Sequence, residues 1–310
     1  MVLYLLIQCL NINLVDAMDR KRFLRLAALG ALSPNFMSLQ KLYQHSRSLP
    51  DQEALPVLFL GHGNPMNAIE ENEFVEGFRK TALQLPTPRA VICISAHWET
   101  QGTRITAMPQ PKTIHDFGGF PRALFEVEYP APGDPKLAQE LKDLIEEPEI
   151  LLDHEWGLDH GAWSVIKHLY PKANIPVLQL SIDYSKGPQY HYDLARALSV
   201  LRRKGVLFIG SGNMVHNLRL TDWRRLNDNF GFDWALEAQS KMRNFLEQCD
   251  DRSLIDFRKQ GQAFDLAIPS TEHYIPLLYS LGLRDKKENL RIFNDEPVGG
   301  ALTMTSVQYG

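Results

Sequence analysis

The sequence predicts an α/β protein: a single three-layer α/β/α domain built around a central, mostly parallel sheet. Three observations carry that prediction. Four short runs dominated by apolar residues, PVLFL at 56–60, VICI at 91–94, IPVLQLSI at 175–182 and GVLFI at 205–209, have the pattern of strands covered on both faces. The stretches between them carry helical start signals and helical apolar spacing, so the runs join as βαβ units and should be parallel. Three of the runs also deliver a histidine a few residues beyond their ends, His62, His97 and His216. The carboxyl edge of an open α/β sheet is where such folds form their ligand crevices.

The bulk numbers agree. A chain of 310 residues can bury a large core, and 44% hydrophobic with 23% charged residues is ordinary for a globular protein. Thirty-three Lys and Arg against 37 Asp and Glu give a net charge of -4, which offers no basic surface for nucleic acid. Cys9, Cys93 and Cys249 are odd in number and form no CxxC pair, excluding a disulfide framework and a thiolate zinc site. A metal, if present, would be held by nitrogen and oxygen.

In chain order, residues 1–50 differ from the rest and read as an N-terminal extension. From Met18 a basic stretch, DRKRFLR, precedes the short apolar run LAALGAL. It resembles a twin-arginine export signal with Arg20-Lys21 where two arginines are expected. A frayed amphipathic helix, or a start codon placed too early with Met18 the true start, are the other readings. The protein is accordingly expected in the cytoplasm, with export to the periplasm as the alternative. The run 26–32 is too short to span a bilayer, and 46–53, SRSLPDQE, reads as a linker into a domain covering 51–310.

After the first strand the chain turns through Gly61-His62-Gly63-Asn64-Pro65. Asn72 is placed to cap a helix carrying Phe74 and Phe78. The next strand ends in Ser95-Ala96-His97-Trp98. The loop TIHDFGGFP at 113–121 holds His115 and Asp116, facing a pocket or forming a capped turn. Asp134-Pro135 opens a helix with Leu137, Leu141, Leu144 and Ile145 on one face. His160, between Asp159 and Gly161, falls at the start of another helix, where the partial positive charge of the terminus disfavours imidazolium. It suits a neutral base, a hydrogen-bond partner or a structural residue. His168 and His191 read as packing residues.

The fourth run, 175–182, ends at Asp183, and 188–203 reads as a helix closed by Gly205. GSGNMVHN at 210–217 lacks the spacing and the lysine of a phosphate loop, so its glycines let the backbone pass close to a pocket. Residues 222–262 read as helical. Ser270 or Thr271 is placed to cap a last helix with Leu277, Leu278 and Leu281, which puts Glu272 and His273 in or just before its first turn. ALTMTSVQY at 301–309 alternates like a final strand.

Nine stretches, GHGNPMN, SAHW, TIHDFGGFP, YPAPGDP, WGLDHGAW, QLSID, SGNMVHN, EHYIPLLYSLG and SVQYG, in this order and spacing resemble the 4,5-DOPA extradiol dioxygenase family of class III (LigB-type) ring-cleaving dioxygenases, over about residues 55–310. The resemblance implies a mononuclear ferrous site, with zinc as a frequent occupant. It sets His62, His97 and His273 on metal-ligand positions, with His216 as a catalytic and possible additional ligand and His160 as a further pocket histidine. More distant class III enzymes use a carboxylate as third ligand, which leaves Glu272 as the alternative to His273. The implied reaction inserts both atoms of O2 into a catechol, opening the ring beside its two hydroxyls. His216 or His160 would move protons, and Trp98, His115, Phe117, Trp163 and Tyr274 would wall the substrate, with Trp98, Phe117, Trp163 and Tyr274 reading equally as ordinary core aromatics. The expected partners are a small aromatic diol and O2. A zinc-dependent hydrolase and a non-catalytic metal-binding protein of the same fold are the rival readings, and the sequence leaves the oligomeric state open.

Overall fold

A computed structural model describes residues 53–145, 147–226 and 228–310. The expectations for the N-terminal extension, most of the linker and Cys9 fall outside them. The strands that matter are β1 (Val57–Gly61), β2 (Ala90–Ser95), β3 (Glu99–Thr100), β4 (Thr103–Thr106), β5 (Ile150–Asp153), β6 (Val177–Gln179), β7 (Ile182–Asp183), β8 (Val206–Gly212), β9 (Leu290–Phe293), β10 (Pro297–Val298), β11 (Leu302–Thr303) and β12 (Ser306–Tyr309). The main sheet runs β6-β2-β8-β1-β12-β9. β6, β2, β8 and β1 are mutually parallel, while β12 is antiparallel to both β1 and β9. β1 and β2 are therefore parallel, as the βαβ reading requires, but β8 lies between them.

Alternation along the strands sorts the sheet into two covered faces. Leu58, Leu60, Val91, Cys93, Leu207 and Ile209 share one cluster with Phe74, Phe78, Trp163 and Ile166. Those last four come from helices α1 (Glu73–Ala82) and α4 (His160–Leu169). On the opposite face Gly210 lies against α9 (Ile275–Leu283): a Cβ there would sit 2.4 Å from the Pro276 carbonyl oxygen. Ser280 of α9 donates to the Leu58 carbonyl, and α5 (Pro188–Leu198) packs beside α9. Residues Leu49–Gly310 form one compact unit. Among the described residues no helix is long and apolar enough to cross a membrane.

Local chemistry sets the helix starts. Asn72 accepts from the Phe74 and Val75 amides, Asp134 caps α3 (Pro135–Leu144) through Leu137 N, and Asp159 caps α4 through Ala162 N. Each satisfies donors that the first helical turn leaves unpaired. The expected helix over 188–203 is α5 followed by a 3-10 turn at Ser199–Lys204, which Gly205 closes in the left-handed conformation at φ 76°.

Two expectations need correction. The single strand over 175–182 is two, because the chain changes partner after Gln179: β6 pairs with β2, whereas β7 pairs with β3. Neither Ser270 nor Thr271 caps α9 through its side chain: the Ser270 hydroxyl donates to Glu272, and α9 starts at Ile275 with Pro276 in its first turn. The expected final strand is β12, and all four of its residues are buried. Residues 222–262 are mainly helical, with α6 (Asp233–Glu247) and α7 (Asp251–Ile255) and irregular chain before them.

Candidate metal centre and active site

The three central parallel strands end in register, with Gly61 opposite Gly212 and Ser95 opposite Ser211. Each then releases a histidine at the same edge: His62 after β1, His97 after β2, His216 after β8. His160 opens α4 and His273 precedes α9 at that edge. The close approach demands glycines. A Cβ on Gly212 would lie 2.2 Å from the His273 carbonyl oxygen, and one on Gly61 would lie 2.5 Å from that of Met304. Gly161 is held as tightly: its Cβ would meet Ser95 Oγ at 2.4 Å and His97 Cδ2 at 2.8 Å.

The five imidazoles form one cluster. His62 Nε2 and His97 Nε2 are 3.3 Å apart, and the His273 ring centroid is 5.2 Å from that of His62 and 5.0 Å from that of His97. His160 lies against His97 at 3.9 Å. His216 stacks on His273 at 3.5 Å with the planes 6° apart. By mutual distance, donor atoms of His62, His97 and His160 gather within 4.8 Å, as do those of His216, Glu272 and His273. His160, placed by the resemblance as a pocket residue, thus sits as near to His62 and His97 as a third donor would.

Hydrogen bonds orient the rings. Ser211 Oγ donates to the Gly161 carbonyl at 2.5 Å and lies 3.0 Å from His62 Nδ1. A hydroxyl has one proton, so Ser211 accepts from His62 Nδ1–H and leaves the His62 Nε2 lone pair facing the cluster. His273 Nδ1 is 3.2 Å from Glu272 Oε1, and His160 Nδ1 is 2.9 Å from Asp116 Oδ2. The Asp116 carboxylate is also 3.5 Å from His97 Nδ1.

Electrostatics keep four of the five imidazoles, those of His62, His97, His216 and His273, uncharged. Burial, then the neighbouring imidazoles, drive His62 and His273 well below the ordinary histidine value. Burial and His160 take His97 down to about 3, against the opposing pull of Asp116. Burial takes His216 down to about 4, with Glu272 resisting. Burial would raise the Asp116 carboxyl, but its hydrogen bonds and charge contact with His160 prevail and hold it low. Neutral imidazole is the metal-binding form. Several neutral nitrogen donors with an adjacent carboxylate fit a divalent iron or zinc ion. Among the described residues no cysteine joins either donor group; Cys93 is fully buried in β2, and burial pushes its thiol well up.

A second polar network sits beneath the cluster. Asp159, fully buried, accepts from Ser95 Oγ at 2.6 Å, Gln179 Nε2 at 2.7 Å and Trp156 Nε1 at 3.3 Å, while its own amide donates to Gln179 Oε1. Ser95 Oγ in turn accepts from the His97 amide. The network ties the ends of β2 and β6 to the start of α4, which fixes His97 and His160 together. Sequence reasoning gave Ser95, Ser211 and Gln179 no role. The available signal was a polar residue inside an otherwise apolar strand, which burial tolerates only with partners.

The expected substrate-wall residues separate into two groups. Phe117 meets His160 edge to face at 5.5 Å, and Trp98 stacks on Trp156 at 5.7 Å beside the network. His115 lies one layer back, bonded to the Val127 carbonyl. Trp163 and Tyr274 form the second group. Trp163 is buried with its indole N–H on the Ile114 carbonyl. Tyr274 is buried, packs on Phe257 and donates to the Leu254 carbonyl. Both are committed to the core, where their polar atoms found backbone partners. His168 and His191 are packing residues, bonded to the Asn67 carbonyl and to the Tyr279 hydroxyl.

An α/β/α sheet with a cluster of histidines able to hold a metal ion at its carboxyl edge is the class of α/β protein that the fold and site define. Residues 56–297 match the family described as the catalytic LigB subunit of aromatic ring-opening dioxygenase. The chain belongs to that family and is an oxidoreductase of the dioxygenase class. It is 44% identical to the 4,5-DOPA dioxygenase extradiol of Escherichia coli K12 over 83% of this chain and 95% of that protein. It is 33% identical to the protein of the same name from Beta vulgaris, over 81% of this chain and 95% of that one. The crystal structure of an uncharacterized Escherichia coli K12 protein superposes with a TM-score of 0.70 at 39% identity, covering 83% of this chain and all of the other.

Proposed function

We propose that this protein cleaves a catechol beside its two hydroxyls at a single metal ion, inserting both atoms of O2, with L-DOPA the first substrate to test. The observation that carries the reading is the meeting of five imidazoles from remote segments, at least four of them held neutral by burial, at one edge of the sheet. His62, His97 and His273 would hold the ion, with His216 beside His273 as a further donor and Glu272 as the nearby carboxylate. Iron(II) is the functional ion on this reading and zinc an alternative occupant. When bound, iron(II) would supply Lewis acidity toward the catechol hydroxyls and the electron transfer that dioxygen requires.

The chain's own residues account for binding and proton traffic. Phe117, edge-on to His160, gives an aromatic ring an apolar wall on that side. His160, backed by Asp116, presents Nε2 as the base for a hydroxyl proton, and His216 is a second imidazole within the cluster able to hold one. The relatives named 4,5-DOPA dioxygenase extradiol support the substrate class. The test is reconstitution with iron(II) under argon, then exposure to air with a panel of catechols including L-DOPA. Oxygen uptake in step with a yellow semialdehyde product is the expected result. A fully iron-loaded sample that consumes no oxygen with any catechol would overturn the proposal, and turnover of an ester or amide by the zinc form alone would replace it with a hydrolase.

A further inference from the structure

Asp116 makes two bonds to one residue 44 positions away. Its Oδ1 accepts from the His160 main-chain amide at 2.9 Å, and its Oδ2 lies 2.9 Å from His160 Nδ1. The loop that carries it is anchored independently. Ile114 N donates to the Leu158 carbonyl, the Ile114 carbonyl accepts from the Trp163 indole, and Phe117 packs on the ring of His160. The carboxylate is therefore a fixed fork that grips the first residue of α4 by backbone and side chain at once. A carboxylate accepts at both oxygens, so the fork places the imidazole proton on Nδ1 and turns the Nε2 lone pair toward the cluster.

We propose that Asp116 is a positioning residue for catalysis: it sets the tautomer and orientation of His160, so that His160 Nε2 meets the substrate hydroxyl as an acceptor. The inference rests on the proposed ring-cleaving function for its catalytic meaning, but not for its geometry. An unanchored imidazole would populate both tautomers and rotate, and the Nε2–H form has no lone pair to receive a proton there. Asp116→Asn is nearly isosteric and keeps an oxygen for the His160 amide. It offers an N–H to Nδ1 and so reverses the tautomer.

The experiment has three readouts on wild type, Asp116→Asn and Asp116→Glu. In metal-free protein labelled with 15N-histidine, long-range 15N–1H correlation should show His160 as Nδ1–H in wild type and as Nε2–H in Asp116→Asn. Anaerobic titration with iron(II) should give the same stoichiometry for both, with any loss of affinity below about tenfold, the lower end of the range for a lost outer-shell partner. In the loaded enzymes kcat should fall about a hundredfold to ten-thousandfold in Asp116→Asn while KM stays within about threefold, the range expected for loss of a general base. Asp116→Glu, which keeps the carboxylate, should recover the Nδ1–H form and part of kcat. Three results would overturn the proposal: an Nε2–H His160 in wild type, a kcat for Asp116→Asn within about threefold of wild type, or loss of iron parallel to loss of kcat, which would mean that Asp116 acts through His97. If wild type itself turns over no catechol the proposed function falls, and the tautomer measurement alone decides whether Asp116 positions His160.

Discussion

Acidifying the metal-free protein should destabilise it through the histidine cluster, and the size of the effect follows from the buried rings. In the unfolded chain His97 and His216 titrate near the ordinary histidine value. In the folded protein burial holds them at about 3 and about 4. A folded-state value depressed for a base means that the unfolded state binds more protons at mildly acidic pH, so stability is present above the unfolded value and drains away as pH falls below it. Between about pH 8 and about pH 5 each of the two rings should withdraw about 2 kcal/mol, or about 4 kcal/mol together. His62 and His273 act in the same direction. A loss of that size is a large share of the stability of an ordinary domain. Urea unfolding of metal-free protein at the two pH values, beside His97→Gln/His216→Gln, measures the contribution of the two rings together with their effect on His62 and His273. The wild type should lose about 4 kcal/mol more than the double variant over the interval. Equal pH dependence in the two proteins, or a difference below about 1 kcal/mol, would refute the picture of rings held neutral by burial. A bound divalent ion should restore stability at the lower pH only while it stays bound, because protons and metal compete for the same nitrogens.

Other outcomes follow from single contacts. Ser211→Ala removes the acceptor for His62 Nδ1–H and should weaken metal binding about tenfold to a hundredfold by anaerobic titration, while Ser211→Thr, which keeps the hydroxyl, should recover part of it. Gly161→Ala forces a methyl into Ser95 Oγ and His97 and should abolish stoichiometric metal uptake in protein that still folds by circular dichroism; normal uptake would show that the cluster tolerates a shift of His97. Tyr274→Phe removes a hydroxyl bonded to the Leu254 carbonyl, so it should lower stability by about 1 kcal/mol and leave KM for a catechol within about twofold. A KM raised tenfold or more would return Tyr274 to the substrate wall.

The buried strand runs and the histidines just beyond them were legible because both signals are local: apolar composition over five or six residues, then a polar residue where the sheet ends. The helix starts at Asn72, Asp134 and Asp159 were legible for the same reason, since a cap acts within its own turn. The split of 175–182 was not, because the change of partner from β2 to β3 depends on where other strands lie. The burial of Tyr274 and Trp163 was not legible, because an aromatic residue beside a histidine motif looks the same in sequence whether its ring turns to the pocket or to the core.

By itself the sequence determined the layered α/β architecture and picked out the five histidines that meet at the sheet edge. Tertiary structure alone decided how those histidines are arranged and oriented. His216 stacks on His273, Ser211 fixes His62 from 149 positions away, and Asp116 grips His160. Apolar periodicity is set by neighbours a few residues apart, whereas a ring's tautomer and tilt are set by whichever atom the fold brings within 3 Å, and that atom has no fixed distance along the chain.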